Sequence, residues 1–145
     1  MEKTLINFDT RKSENFAEKL LNIINGGPLS LMISIGHRTG LFDIMGELGE
    51  AGLSDIARKS GLNSRYVKEW LGAMVTGGII EYDNINQTFL LPPEHKMWVT
   101  RKAGANNIAV FGQYTSVLGS VEDEIIECFR NGGGVPYERF HRFHD

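Results

Sequence analysis

Apolar residues recur at helical spacing through most of the chain, in blocks separated by glycine, proline and asparagine. Residues 1–12 show no period and predict a loose arm. Ser13 is a suitable N-cap, and Phe16, Ala17, Leu20, Leu21 and Ile24 then follow along one side of a helix. "NGG" at 25–27 predicts a left-handed stop, and Pro28 opens a second helix at the first-turn position that proline favours. That second segment, "PLSLMISIGHRTG", carries Leu29, Leu31, Met32, Ile33 and Ile35 nearly all round. A helix apolar on most sides must be covered on most sides. A second subunit or second domain is therefore the expected cover, with Met32 and Ile33 at the contact.

After Gly40, "LFDIMGELGEAG" predicts a short helix and a loop. Ser54 caps "DIARKS", Gly61 ends it, and Asn63 caps the next helix, "SRYVKEWLGAMVTGG". In that helix Tyr66, Val67, Trp70, Leu71, Met74 and Val75 form one buried stripe, and Gly77 and Gly78 stop it. "IIEYD" and "TFLL" around the turn "NINQ" predict a β-hairpin closed by Pro92 and Pro93. A short helix at 94–99 and helical periodicity over 104–130, broken at Gly119–Ser120, complete the order. The fold class is mainly α: a winged helix-turn-helix with one small hairpin, flanked by N-terminal and C-terminal helices. The divisions are an arm and helix at 1–26, the winged helix at 27–100 and connecting helices at 101–145.

Composition narrows the function. At 145 residues, 41% hydrophobic and 23% charged, the chain is of ordinary globular make-up and sized for one domain. A net charge of −3 provides no global field for nucleic acid or an anionic membrane. No apolar run reaches the roughly 18 residues of a spanning helix, and no signal-peptide pattern opens the chain. The lone Cys128 excludes an internal disulfide and a four-cysteine zinc site, and fits a reducing, cytoplasmic compartment.

A winged helix that reads DNA needs cations on its second helix-turn-helix helix and on its wing. Over 54–91, Arg58, Lys59, Arg65 and Lys68 are balanced by Asp55, Glu69, Glu81 and Asp83, and the wing "EYDNINQTF" has two acids and no base. Packing is the favoured use of this winged helix. A stand-alone dimeric DNA-binding regulator is the alternative.

"NGGPLSLMISIGHRTGLFD", "GLNSRYVKEWLGAMVTGGIIEYD", "LPPEH", "AVFGQYTSVLGSVEDEIIECFRNGGGVPY" and "FHRFHD" occur in order. Together they resemble the N-terminal region of a family of S-adenosylmethionine-dependent methyltransferases. In that family the region precedes a Rossmann-like catalytic domain, and it resembles the dimerisation and substrate-lid domain of small-molecule O-methyltransferases. The resemblance implies a homodimer through the N-terminal helices and a small-molecule substrate. It implies S-adenosylmethionine as cofactor of the full-length family, with none expected to bind this chain alone. No catalytic residue is nominated. "NGGGV" follows a helical stretch rather than a strand, so it is not the glycine turn of a cofactor site. Gly132 to Gly134 are expected to turn the chain, and "VPYERFHRFHD" to begin a connecting helix towards the catalytic domain, which is absent from this sequence.

The resemblance nominates Tyr137 and Phe140 beside the cofactor and Phe111 and Tyr114 at the substrate. For the first pair, packing against the next domain is an equal reading; for the second, a core stripe with Leu118 is the other account. His37, in the apolar second helix, is either a buried, hydrogen-bonded histidine or part of a substrate pocket. His95 is a surface or capping residue. His141, His144 and Asp145 lack a third metal ligand at a predictable place, so no metal site is expected.

Overall fold

The first helix runs without interruption through the point where a stop is expected. The computed structural model describes residues 8–142. In it a single helix α1 spans Thr10–Thr39, and Asp9 rather than Ser13 caps it, its side chain accepting from the Lys12 amide. Pro28 lies inside. Its ring leaves the Ile24 carbonyl without a helical donor, but that turn is exposed and water can serve it. Gly27 has no Cβ to meet the proline ring, which removes much of the clash that usually ends a helix before proline. The two predicted helices are thus one, about 45 Å long at ~1.5 Å per residue.

Gly40, at φ 76, turns the chain into α2 (Leu41–Leu48). A two-residue strand β1 (Ala51–Gly52) precedes α3 (Leu53–Ser60) and α4 (Ser64–Thr76). Asn63 caps α4 through the Arg65 amide, as its sequence position predicts. The hairpin forms from β2 (Glu81–Asp83) and β3 (Thr88–Leu90). Asp83 organises its turn by accepting from the Ile85 and Asn86 amides. β1 pairs with β3, so the sheet is antiparallel in the order β1-β3-β2, with Ala51 opposite Phe89 and Tyr82 opposite the other edge of Phe89. The hairpin is expected from sequence; the third strand, two residues long, leaves no alternation to read.

The core lies where the second half of α1, α2 and α4 meet. Trp70 is 2% exposed and its indole N–H donates to the Met32 carbonyl at 2.8 Å. Phe42 meets the same indole edge-on, with ring centroids 5.1 Å apart. Ile56, Leu71, Met74 and Leu91 fill in around them. Met32 and Ile33 pack against this core. Their apolarity therefore has a use within the chain that requires no second subunit. In the α4 stripe, Tyr66 turns outward and is exposed.

Beyond α5 (Pro93–Val99) come two 3-10 segments, Arg101–Asn106 and Ile108–Gly112, then α6 (Gln113–Gly119) and α7 (Glu122–Asn131). The predicted break at 119–120 separates α6 from α7, while the stretch before it winds as 3-10 helix. Gly112 lies flush on α1: a Cβ there would stand 2.9 Å from the Ser30 carbonyl oxygen. Gly132 and Gly133 adopt φ 72 and 94, the left-handed turn expected of them. After them the described chain makes only a 3-10 turn, Tyr137–Arg139, in place of the expected connecting helix.

Two helical glycines test this packing. A Cβ on Gly36 would sit 2.5 Å from Trp70 Cζ2 and 2.8 Å from Phe42 Cε2. Gly36→Ala should destabilise by about 1–3 kcal/mol through overpacking. Gly72 on α4 faces open space, so Gly72→Ala should stabilise by about 1 kcal/mol. Urea denaturation of both variants measures the contrast, and a stable Gly36→Ala protein contradicts the seating of Trp70.

Candidate functional site

The residues singled out from sequence fall in three places. His37 stands at the end of α1, half-buried. Phe111 and Tyr114 lie along the segment Ile108–Gly112 and the first turn of α6, their rings stacked at 5.9 Å. They are 57% and 42% exposed, and Ile108 and Leu118 beside them are also exposed, so the core-stripe reading fails. Tyr137 and Phe140 pair at 6.4 Å around the last 3-10 turn. Phe140 lines a groove of 370 Å³ with Cys128, Ile125 and Val135. This last turn is held back against the preceding helices, since Arg139 Nε donates to both Glu124 oxygens at 3.0 and 3.1 Å and Arg142 donates to Ser116.

A polar cluster that sequence reasoning did not nominate surrounds His37. Arg101 pairs its guanidinium with Asp43 and also donates its backbone amide to Asp43 at 2.7 Å. Its Nη2 donates to the His37 carbonyl at 2.6 Å. The arginine thereby supplies a donor and a positive charge to the C-terminal end of α1, where both are favourable. Asn107 caps the next 3-10 segment by accepting from the Ala109 amide at 3.1 Å, and its Nδ2 lies 3.4 Å from His37 Nδ1. Burial, then the charge of Arg101, push the His37 pKa below its ordinary value of 6.5, against a smaller opposing effect of Asp43. Asn107 ahead of "IAVF" carries a readable cap signature. Asp43 and Arg101 stand 58 positions apart, and no sequence period links them.

On the far side of Asp43 a cleft of 580 Å³ opens between α2, α5 and the first 3-10 segment, bordered by Glu47, Lys96, Met97, Thr100 and Lys102. Lys96 spans its floor to the Gly46 carbonyl at 3.2 Å. His95, expected at the surface or in a cap, places Nδ1 2.8 Å from the Ile79 carbonyl and ties α5 to the entry of the hairpin. No cluster of three or more metal-ligating side chains occurs among the described residues; His144 and Asp145 lie outside them. No helix among them is long and apolar enough to cross a membrane. On the helix-turn-helix surface Arg58 is paired with Asp55 at 2.6 Å, which withdraws one of the few cations there.

The class follows from these observations: a mainly helical winged helix-turn-helix domain. The chain belongs to the family described as the Rv2258c-like winged HTH domain, whose model matches residues 27–101. Among solved structures, mitomycin 7-O-methyltransferase MmcR aligns at TM-score 0.66 and 16% identity, over 91% of this chain and 38% of that one. PigF with SAH aligns at 0.65 and 17%, over 79% and 33%. The S-adenosylmethionine-dependent methyltransferase SibL in its apo form aligns at 0.51 and 14%, over 83% and 38%. At these identities the likeness is one of fold, and the chain spans well under half of each. No curated protein matches the sequence.

The glycines at 132–134 do not fit a cofactor grip. They follow α7 rather than a strand, and among the described residues no α-helix begins after them. No step of methyl transfer is assigned to them.

Two measurements probe the cluster. Arg101→Met removes two side-chain contacts, the ion pair with Asp43 and the bond to the His37 carbonyl, at a partly exposed site and should cost about 1 kcal/mol in urea denaturation, whereas Arg58→Met should change stability by at most about 0.5 kcal/mol. Equal effects would deny Arg101 its anchoring role. For His37, the unfolded chain takes up a proton near pH 6.5 and the folded chain only at lower pH. Between those values the unfolded state holds more protons, so stability is intact above pH 6.5 and falls as pH drops through the folded value. Melting temperatures across that range should decline less steeply in His37→Gln than in the parent protein.

Proposed function

We propose that this chain is the dimerisation and substrate-lid domain of a small-molecule methyltransferase, with cofactor binding and catalysis supplied by a Rossmann-like domain in the whole protein. The observation that carries this is apolar surface left uncovered on two sides of a well-packed winged helix. The first half of α1 exposes Phe16, Leu20, Leu21, Ile23 and Ile24, with Phe16 and Ile23 each 63% exposed. The 3-10 segment and α6 expose Ile108, Phe111, Tyr114 and Leu118. Large side chains exposed together mark contact surfaces.

The two surfaces have different uses in this reading. A helical arm of under twenty residues that is exposed on every side among the described residues gains little from propensity alone, so a partner would stabilise it. A second copy offers the same arm, and an isologous pairing covers both at once. The stripe from Ile108 to Leu118 faces the substrate, with Phe111 and Tyr114 orienting it and excluding water. Tyr137 and Phe140 border the cofactor side. S-adenosylmethionine would supply the methyl group from its sulfonium in the whole enzyme. His37, whose ring is engaged by Asn107, serves the fold.

Light scattering tests the arm. The chain should have twice the 16.2 kDa monomer mass. Leu20→Asp with Ile24→Asp should return it to monomer with the melting of the winged-helix core retained, because neither residue belongs to that core. A monomeric parent protein would reject dimerisation. Calorimetric titration with S-adenosylhomocysteine should give no binding to this chain alone; micromolar binding would move the cofactor site into it.

A further inference from the structure

The amide of Asn107 has both ends committed, and that fixes the state of His37. A backbone N–H can only donate, so the Asn107 atom 3.1 Å from the Ala109 amide is its oxygen. The amino group therefore faces His37, 3.4 Å from Nδ1. An amino group only donates, so Nδ1 must be the bare, accepting nitrogen and the imidazole proton sits on Nε2.

Protonation at Nδ1 turns that contact into two opposed donors. The imidazolium also meets the guanidinium of Arg101, whose Nη2 sits on the His37 carbonyl. The charged groups that bear on His37 are Arg101 from the first 3-10 segment and Asp43 from α2, with Arg38 as its neighbour on α1; from α4 and α6 no charged side chain contributes among the described residues. Asp43 is bound to Arg101 by its side chain and its backbone amide, so it is engaged rather than available to the ring. Rotating the Asn107 amide would present its oxygen to the imidazolium, but only by withdrawing that oxygen from Ala109 and uncapping the segment Ile108–Gly112. Ala109 is buried in the core and Phe111 is two residues on.

We propose that His37 and Asn107 form a proton-sensitive latch: neutral His37 lets Asn107 tie the end of α1 to the start of the segment Ile108–Gly112, and a proton taken from solvent onto His37 Nδ1 releases that tie. The latch depends on these side chains alone and stands whether or not the chain serves a methyltransferase. Its lowered pKa agrees with the geometry, since both burial and Arg101 oppose the charged ring.

The test is NMR of the uniformly 15N-labelled chain across a pH series. Long-range imidazole spectra should show His37 with its proton on Nε2 at pH 8 and a midpoint below the ordinary histidine value, and the Ala109 amide should shift with the same midpoint. In Asn107→Asp the carboxylate still caps Ala109, because aspartate is as good an N-cap as asparagine, and it accepts from the imidazolium. The His37 midpoint should then rise above the ordinary value, and the Ala109 shift should no longer follow it. A proton on Nδ1 in the neutral parent protein, an Ala109 amide indifferent to His37, or an unmoved midpoint in Asn107→Asp would each overturn the latch.

Discussion

The structure depends on one seat, the Trp70 indole pressed onto Gly36 of α1 with its N–H on the Met32 carbonyl. A buried tryptophan must satisfy its polar nitrogen, and here it does so on a helix backbone that only a residue without a side chain lets it approach. That contact holds α4, the second helix of the helix-turn-helix, against α1. Phe42, edge-on to the same indole, joins α2 to the pair. Once these three helices are set, α3 and the small sheet close over Ile56, Leu71 and Leu91.

α1 therefore has two different lives along its length. From Leu29 to Gly36 it is a core helix, approached closely by Trp70 on one side and by Gly112 on another, with Ser30 sharing a hydrogen bond with Thr115 at 2.8 Å. From Thr10 to Gly26 it is exposed on every side. The apolar residues of the first half have no use in the described chain, and those of the second half are largely spent on it. That asymmetry leaves the uncovered apolar surface of α1 on Phe16 to Ile24 rather than on Met32 and Ile33.

The polar contacts divide in a similar way. The surface pairs along α3 and α7 join neighbours three residues apart and add little. The cluster of Asp43, Arg101, His37 and Asn107 instead joins α1, α2 and the segment that leads out of the winged helix. It serves the exposed C-terminal end of α1 and sets where the stripe carrying Phe111 begins.

Much of this order was legible in the sequence because local chemistry encodes it. The Asn63 cap, the glycine stop at 61, the Trp70 stripe apart from Tyr66 and the Asn-rich turn of the hairpin all act within a few residues, and these formed as their patterns imply. The break between α6 and α7 and the turn at Gly132 and Gly133 were legible for the same reason. The continuity of α1 was not, because Gly27 and Pro28 carry equal local arguments for stopping and for tolerating a helix, and the packing of Leu29 to Gly36 on the core decided between them. Strand β1 exists only because β3 lies beside it. The cluster around His37 needed α1, α2 and the first 3-10 segment to converge before Asp43 could meet Arg101. Phe111 and Tyr114 had an apolar spacing that suits burial, and only the tertiary structure turned that face outward, because Ala109, Gly112 and Val117 took the places against α1.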